Sequence, residues 1–178
     1  MTETFADADR GAIRTLDDGW ELRFERRLRH SPERVWAALT TPEGLACWLA
    51  DAKIDPTPGG QMVLRFTQPD HPASPDTDEN RTQTNEVLAF EPFTRFEHTF
   101  GSTEDSIVSW RLAPDGDGTH LTLIHRVPGR WQGARANVLS GWQTHMEGLE
   151  DAIHGVRHPW SWGRWTALRD AWAGELPT

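Results

Sequence analysis

The stretch of residues 20–49 restricts the possible folds more than any other part of the sequence. From Trp20 to Leu28 apolar and charged side chains alternate, with Arg26 as the exception, which is the period of a strand with one buried face. Two tripeptides follow, Ser31-Pro32-Glu33 and Thr41-Pro42-Glu43. Each supplies an N-cap hydroxyl, a proline suited to the first helical turn and a carboxylate near the positive end of the helix dipole. The sequence therefore predicts a half-buried strand followed at once by two short helices.

Length, charge and cysteine content limit the number of domains and the class of partner. The chain has 178 residues, which suits one domain with tails. Its net charge of -9 and the lack of a lysine- and arginine-rich block argue against binding to nucleic acid or to an anionic membrane. Cys47 is the only cysteine, which rules out an intrachain disulfide or a cluster of zinc-binding thiolates. The acidic tail at residues 1–18 lacks a signal-peptide pattern, and no apolar run has membrane-spanning length, so we expect a cytoplasmic protein.

The middle of the chain has the pattern of an antiparallel sheet. Residues 52–56 and 61–67 flank a Pro58-Gly59-Gly60 turn and are typical of a β-hairpin. Residues 68–81 contain prolines and carboxylates without periodicity, which indicates a loop between strands. Four further strands are predicted, and the connections between them are too short for parallel neighbours. These strands lie at residues 82–90, 94–100, 105–112 and 119–127.

The period becomes helical over residues 136–154, and Gly155 is well placed to end that long helix. The extension at residues 156–178 contains four tryptophans, and Ser161 is a candidate N-cap for a last helix. This extension fits a lid, a contact in a homodimer or ordinary packing on the domain, and we favour packing. The chain thus divides into the tail at residues 1–18, a domain at residues 19–155 and the extension at residues 156–178.

This order of elements resembles the helix-grip fold of the START and Bet v 1-like (SRPBCC) superfamily. Over roughly residues 19–153 the chain is similar to the family of homologues of the activator of the heat-shock-protein ATPase. The motifs behind this resemblance are Arg27-Leu28, Ser31-Pro32-Glu33, Val35-Trp36, Leu39-Thr40-Thr41-Pro42-Glu43, Trp48, Asp55-Pro56, Gly59-Gly60, Gly118-Thr119-His120-Leu121-Thr122 and Ser140-Gly141-Trp142 with Leu149. The resemblance implies an α+β fold in which a curved antiparallel sheet of about six to seven strands wraps a long C-terminal helix. It also implies that a cavity often separates the two.

Such a cavity would be lined by the side chains that face inward from the strands and the helix. Alternation and helical period place nine residues there, and we predict that they bind the ligand: Met62, Phe66, Phe96, His98, Trp110, His125, Trp142, His145 and Met146. The imidazoles among them can orient a carbonyl, carboxylate or hydroxyl group of the ligand, since a neutral histidine carries one donor and one acceptor. The competing interpretation is that each histidine only satisfies a backbone group and that the apolar side chains form ordinary core.

The sequence contains no pattern that indicates a catalytic residue, a metal site or a cofactor. Gly-x-Ser-x-Gly, His-Glu-x-x-His and a phosphate-binding glycine loop are all missing from it. We therefore predict no catalytic residue, metal or cofactor.

Three functions follow from these observations. The first is the binding of a small hydrophobic or aromatic molecule between the sheet and the long helix, by a monomer or a homodimer. The second is an enzyme resembling the polyketide aromatase/cyclases, with His98 or His125 as the acid or base. The third is the co-chaperone role that the family's name suggests. The eukaryotic activator carries a further N-terminal domain, whereas residues 1–18 are all that precede the first predicted strand here, and this argues against the third function.

Overall fold

The first predicted strand and the two helices after it form as expected in a computed structural model that describes residues 10–71 and 81–176. The strand spans Gly19–Leu28, and the helices α1 and α2 span Pro32–Thr40 and Pro42–Trp48. Thr41 caps α2, because its hydroxyl accepts a hydrogen bond from the Gly44 amide at 3.1 Å. The predicted cap at Ser31 is wrong, since its side chain makes no capping hydrogen bond. The pKa of the Glu33 carboxyl is lowered chiefly by its own backbone amide and to a smaller degree by the neighbouring Ser31 hydroxyl.

The strands form one antiparallel sheet of eight members, which confirms the α+β class and gives one or two more strands than predicted. The order across the sheet is β1-β2-β8-β7-β6-β5-β4-β3. The strands are β1 (Ala12–Thr15), β2 (Gly19–Leu28), β3 (Asp51–Ile54), β4 (Gln61–Arg65), β5 (Thr82–Glu91), β6 (Arg95–Thr99), β7 (Ile107–Asp115) and β8 (Gly118–Pro128). The predicted hairpin corresponds to β3 and β4, which pair antiparallel. Of the predicted loop at residues 68–81, residues 72–80 lie outside the described residues.

The additional strand β1 lies within residues 1–18, where the sequence predicts an acidic tail. It pairs with β2 along its whole length, from Ala12 opposite Arg23 to Thr15 opposite Trp20. Only Ile13 of its four residues is partly buried, so the strand is too short and too exposed to show a clear alternation. Pairing with β2 therefore accounts for the extended conformation of β1.

The predicted long helix is interrupted. A short 3-10 helix (Gly129–Ala134) leads into α3 (Arg135–Met146), and α4 (Leu149–Ile153) follows after a break. Gly148 lies in that break, where a β-carbon would come within 2.7 Å of the His158 Cβ. Gly155 ends α4 with a φ of 73°, as the sequence predicts. The helix expected over residues 136–154 is therefore present as two helices that are divided at residues 147–148, where the His158 side chain lies close to Gly148.

The extension folds back onto its own domain. Its helix α5 (Trp162–Glu175) is capped by Ser161, whose hydroxyl accepts from the Arg164 amide at 3.1 Å. Trp172 is buried against α3 and donates its indole N–H to Oε1 of the Gln143 side chain at 3.1 Å. Among the described residues, no helix is both long enough and apolar enough to cross a bilayer.

Candidate functional site

Two of the predicted histidines face the same side of the sheet, on two strands that have a single strand between them. Val108 of β7 is paired with His98 of β6 on one side and with His125 of β8 on the other. His98 is 1% exposed and His125 is fully buried. Strand register thus brings the two imidazoles into one row across the inner face of the sheet, as the alternation predicts.

Hydrogen bonds fix the tautomer of His125. The Trp142 indole N–H donates to its Nδ1 at 2.9 Å, and because an indole nitrogen can only donate, that Nδ1 carries no proton. The proton is therefore on Nε2, which lies 2.8 Å from the Ser106 hydroxyl oxygen and donates to it. Burial lowers the pKa of His125 to about 3, and the nearby His98 lowers it further in the same direction. Both nitrogens of this neutral ring are occupied by protein atoms, which leaves neither for a ligand.

His98 is held by the backbone. Its Nδ1–H donates to the Thr99 carbonyl oxygen at 2.7 Å. Burial lowers its pKa to about 4, although the hydrogen bond to Thr99 opposes this shift. His98 is therefore neutral at physiological pH.

Aromatic side chains fill the centre of the space between the sheet and α3. Trp110 meets Trp142 edge to face, with ring centroids 5.6 Å apart, and meets Trp48 in the same way at 5.8 Å. Both Trp110 and Trp142 are almost completely buried. Six of the predicted ligand-binding residues lie in this packed region and do not line the cavities described next: Met62, Phe96, His98, Trp110, His125 and Met146.

The other three predicted residues, Phe66, Trp142 and His145, line a cavity of about 180 Å³ beside this packed centre, which we call the first cavity. Its remaining walls are Leu49, Gln83, Phe100, Val138 and Gly141. Phe66, Phe100 and Val138 are only half-buried, so the first cavity is an apolar cleft that reaches the surface. A β-carbon at Gly141 would meet no atom within 4 Å, which shows that the α3 backbone faces open space there.

A second cavity, of about 260 Å³, shares two lining residues with the first, His145 and Leu49. The His145 Nδ1–H donates to the Trp48 carbonyl oxygen at 2.8 Å. Its Nε2 accepts from the Gln68 side-chain amide at 3.2 Å. Burial lowers the pKa of His145 to about 4, against the opposing effect of the hydrogen bond to Trp48. His145 is therefore a neutral acceptor in the wall of both cavities.

The start of the extension, including Trp160, forms part of the wall of the second cavity. The lining of this cavity is Ala46, Cys47, Trp48, Leu49, Thr67, Gln68, Pro69, Thr144, His145, Arg157, His158, Pro159 and Trp160. The Trp160 ring lies 4.7 Å from the His145 ring, centroid to centroid. Trp162 donates its indole N–H to the Pro69 carbonyl oxygen at 2.7 Å. The extension thus covers one side of this cavity.

Sequence reasoning missed several lining residues for different reasons. Val138 stands four positions before Trp142 and Gly141 stands four positions before His145, so the helical stripe could have identified them. Gln68 and Trp160 carry no comparable signal, because they belong to segments without a clear period.

Comparisons with known proteins agree with this architecture. The sequence profile of a family described as activator of Hsp90 ATPase homolog 1-like protein matches residues 29–154. No curated protein matches the sequence.

Solved structures share the fold over nearly the whole chain. A protein from Bordetella parapertussis is 25% identical, and the match covers 100% of this chain and 97% of that one with a TM-score of 0.70. CalU16 from Micromonospora echinospora is 23% identical over 92% of this chain and 94% of its own, with a TM-score of 0.66. A conserved protein of unknown function from Enterococcus faecalis is 17% identical over 95% and 91%, with a TM-score of 0.71. These similarities confirm the helix-grip fold.

Proposed function

The chain belongs to the family of activator of Hsp90 ATPase homolog 1-like proteins, and we propose that it binds a small hydrophobic or aromatic molecule in the first cavity. The observation that carries this proposal is an apolar cleft with one hydrogen-bonding imidazole in its wall. Small-molecule sites commonly combine apolar walls with a few polar groups that orient the ligand.

The size of the first cavity limits the ligand. An apolar protein cavity of about 150 Å³ accommodates benzene. The first cavity, at about 180 Å³, therefore suits one aromatic ring with a small substituent. Phe66, Phe100 and Trp142 supply aromatic walls against which such a ring can pack.

His145 supplies the polar contact. Because Nδ1 donates its proton to the Trp48 carbonyl oxygen, the lone pair that can accept a hydrogen bond is on Nε2. The hydrogen bond from Gln68 to this atom measures 3.2 Å, which is longer than the usual length of about 2.9–3.0 Å. Gln68 lines the second cavity and not the first, so a ligand seated in the first cavity reaches Nε2 only with a hydroxyl or N–H group that extends past His145 and replaces the Gln68 amide. The proposed ligand is therefore an aromatic or hydrophobic molecule that carries a hydroxyl or N–H donor.

A catalytic function would depend on the same residue. His145 is the only one of the three predicted histidines whose ring lines either cavity, so acid–base chemistry of the polyketide aromatase/cyclase kind would use it in place of His98 or His125. Its pKa of about 4 makes it a weak base at neutral pH, whereas an efficient general base has a pKa near the working pH. Binding without chemistry is therefore the function that we propose.

The proposal is tested by calorimetric titration of the full chain with phenol, indole and 2-naphthol. We expect one-to-one binding of at least one of these probes. Gly141→Leu should weaken that binding by about tenfold or more, since the added side chain projects into the first cavity. Gly141→Ala should have a smaller effect in the same direction.

Gly174→Leu is the matched control. Gly174 is also a helical glycine with no atom within 4 Å of an added β-carbon, but it lies in α5 on the exposed surface. We expect this variant to bind as the wild type does. Failure of all three probes to bind at millimolar concentration would overturn the proposal, and so would equal affinities of the wild type and Gly141→Leu.

A further inference from the structure

Three side chains that can bind a metal meet at the surface where the turn before α1 touches the end of α4. His30 lies in that turn, Glu150 lies in α4, and His154 directly follows α4. Among residues 10–71 and 81–176, this is the group of three histidine, cysteine, aspartate or glutamate residues whose ligand atoms all lie within 4.8 Å of one another. It shares no residue with either cavity, so the inference does not depend on the proposed function.

The two imidazoles approach the same carboxylate oxygen with the same ring nitrogen. The Nε2 of His30 lies 2.5 Å from Oε1 of Glu150, and the Nε2 of His154 lies 3.8 Å from it. The two rings are nearly perpendicular, at 83°, with centroids 5.0 Å apart. Glu150 and His154 are four positions apart, which places both on one side of a helical turn.

The two distances between Nε2 and Oε1 are close to the separation of neighbouring ligand atoms in a metal site. With metal–ligand distances of about 2.0–2.2 Å and tetrahedral angles, ligand atoms lie about 3.4 Å from one another. The observed distances to Oε1, 2.5 and 3.8 Å, lie on either side of that value. The Glu150 and His154 side chains are 55% and 52% exposed, so both have room to adjust when an ion binds.

The remaining ligand is held more firmly. The His30 side chain is only 9% exposed, and the His30 carbonyl oxygen accepts a hydrogen bond from the Thr119 hydroxyl at 2.7 Å. The Arg34 guanidinium donates to the Ile153 carbonyl oxygen at 3.2 Å and so joins α1 to the last turn of α4. The backbone that presents the three ligands is therefore fixed before any ion binds.

We propose that His30, Glu150 and His154 bind a divalent transition-metal ion of the zinc class. Two imidazole nitrogens and one carboxylate oxygen are donors that suit such ions, and solvent at this exposed face completes the coordination. The ion joins segments 120 positions apart in the chain. Binding to the folded state alone then stabilises the fold by mass action. The sequence shows no metal motif here, because only Glu150 and His154 are close in sequence.

The test is a calorimetric titration of the chelator-treated full chain with zinc sulfate, with cobalt(II) as a spectroscopic probe. We expect one zinc ion per chain, a higher melting temperature with zinc, and visible absorption of bound cobalt typical of low coordination number. His154→Ala and Glu150→Gln should each weaken zinc binding by about tenfold or more and abolish the thermal shift. Both residues are exposed, so neither change should unfold the chain.

His120→Ala is the matched control. His120 is also a surface histidine beside a carboxylate, with its Nε2 3.7 Å from Glu25, but in the described part of the chain no third metal-binding side chain joins this pair. We expect this variant to bind zinc as the wild type does. The proposal is overturned if the wild type binds no zinc at millimolar concentration. It is equally overturned if His154→Ala and Glu150→Gln both bind zinc as the wild type does, because zinc then binds elsewhere.

Discussion

Trp142 of α3 and His125 of β8 are joined by a hydrogen bond of 2.9 Å from the indole N–H to Nδ1, inside the packed centre between helix and sheet. The bond fixes the imidazole tautomer and makes Ser106 the acceptor for its other nitrogen. A residue that the sequence suggests as a ligand contact thus acts as the link between the helix and the sheet.

The first prediction concerns this hydrogen bond. Trp142→Phe keeps an aromatic ring but leaves the buried Nδ1 of His125 without a donor, which costs about 1–3 kcal/mol. Trp20→Phe is the matched control, since Trp20 is also buried but its indole N–H has no hydrogen-bond partner among the described residues. In urea unfolding, Trp142→Phe should therefore lower the free energy of unfolding more than Trp20→Phe does. If both variants lose the same free energy of unfolding, the loss reflects the smaller ring alone and not the hydrogen bond.

The second prediction concerns pH. Burial lowers the pKa of His98 and His145 to about 4 and that of His125 to about 3, from an ordinary value of 6.5. Below pH 6.5 the unfolded chain binds protons that the folded chain does not, so stability falls as the pH decreases towards these folded-state values. Each histidine contributes a slope of up to about 1.4 kcal/mol per pH unit.

Urea unfolding between about pH 6.5 and pH 5 measures that slope, because most carboxylates remain ionised there. His125→Asn retains an acceptor for the Trp142 indole but does not titrate, so it should flatten the slope. An unaltered slope in His125→Asn would contradict the proposed origin of the pH dependence.

The third prediction contrasts two glycines of the helical segment. Gly141→Ala should raise the free energy of unfolding by about 0.5–1 kcal/mol, because the methyl group meets no atom and restricts the unfolded chain. Gly148→Ala should lower it by about 1–3 kcal/mol, because the new Cβ would come within 2.7 Å of the His158 Cβ. Thermal unfolding monitored by circular dichroism shows whether each variant is more or less stable than the wild type. The same sign for both would show that local helix propensity outweighs the contact with residue 158.

The fourth prediction concerns the paired helices. Thr41→Ala removes the oxygen that accepts from the Gly44 amide and should lower the free energy of unfolding by about 1 kcal/mol. Ser31→Ala should cost clearly less, since Ser31 makes no capping hydrogen bond. Urea unfolding of both variants tests the difference between two positions that look equivalent in sequence. A larger loss at Ser31 would contradict the assigned caps.

Local patterns predicted most of the secondary structure, because burial of one face leaves its period in the sequence. The alternation from Trp20 to Leu28 gave β2, and Gly155 marked the end of α4. The pattern failed where a distant contact decides the conformation. Residues 12–15 become a strand only because β2 is beside them, and the helix breaks at Gly148 where residue 158 approaches.

The candidate site also depends partly on local sequence pattern and partly on contacts between distant parts of the chain. The sequence by itself determined that His98, His125 and Trp110 face the interior, since strand period fixes the side of the sheet that each occupies. Only the tertiary structure decided what lies opposite them. The meeting of Trp110 with Trp142 fills the centre and leaves open space beside Gly141, and chain folding brings His30 to Glu150 and His154. Period encodes which face is buried, whereas the shape of the gap between two faces depends on side chains far apart in the chain.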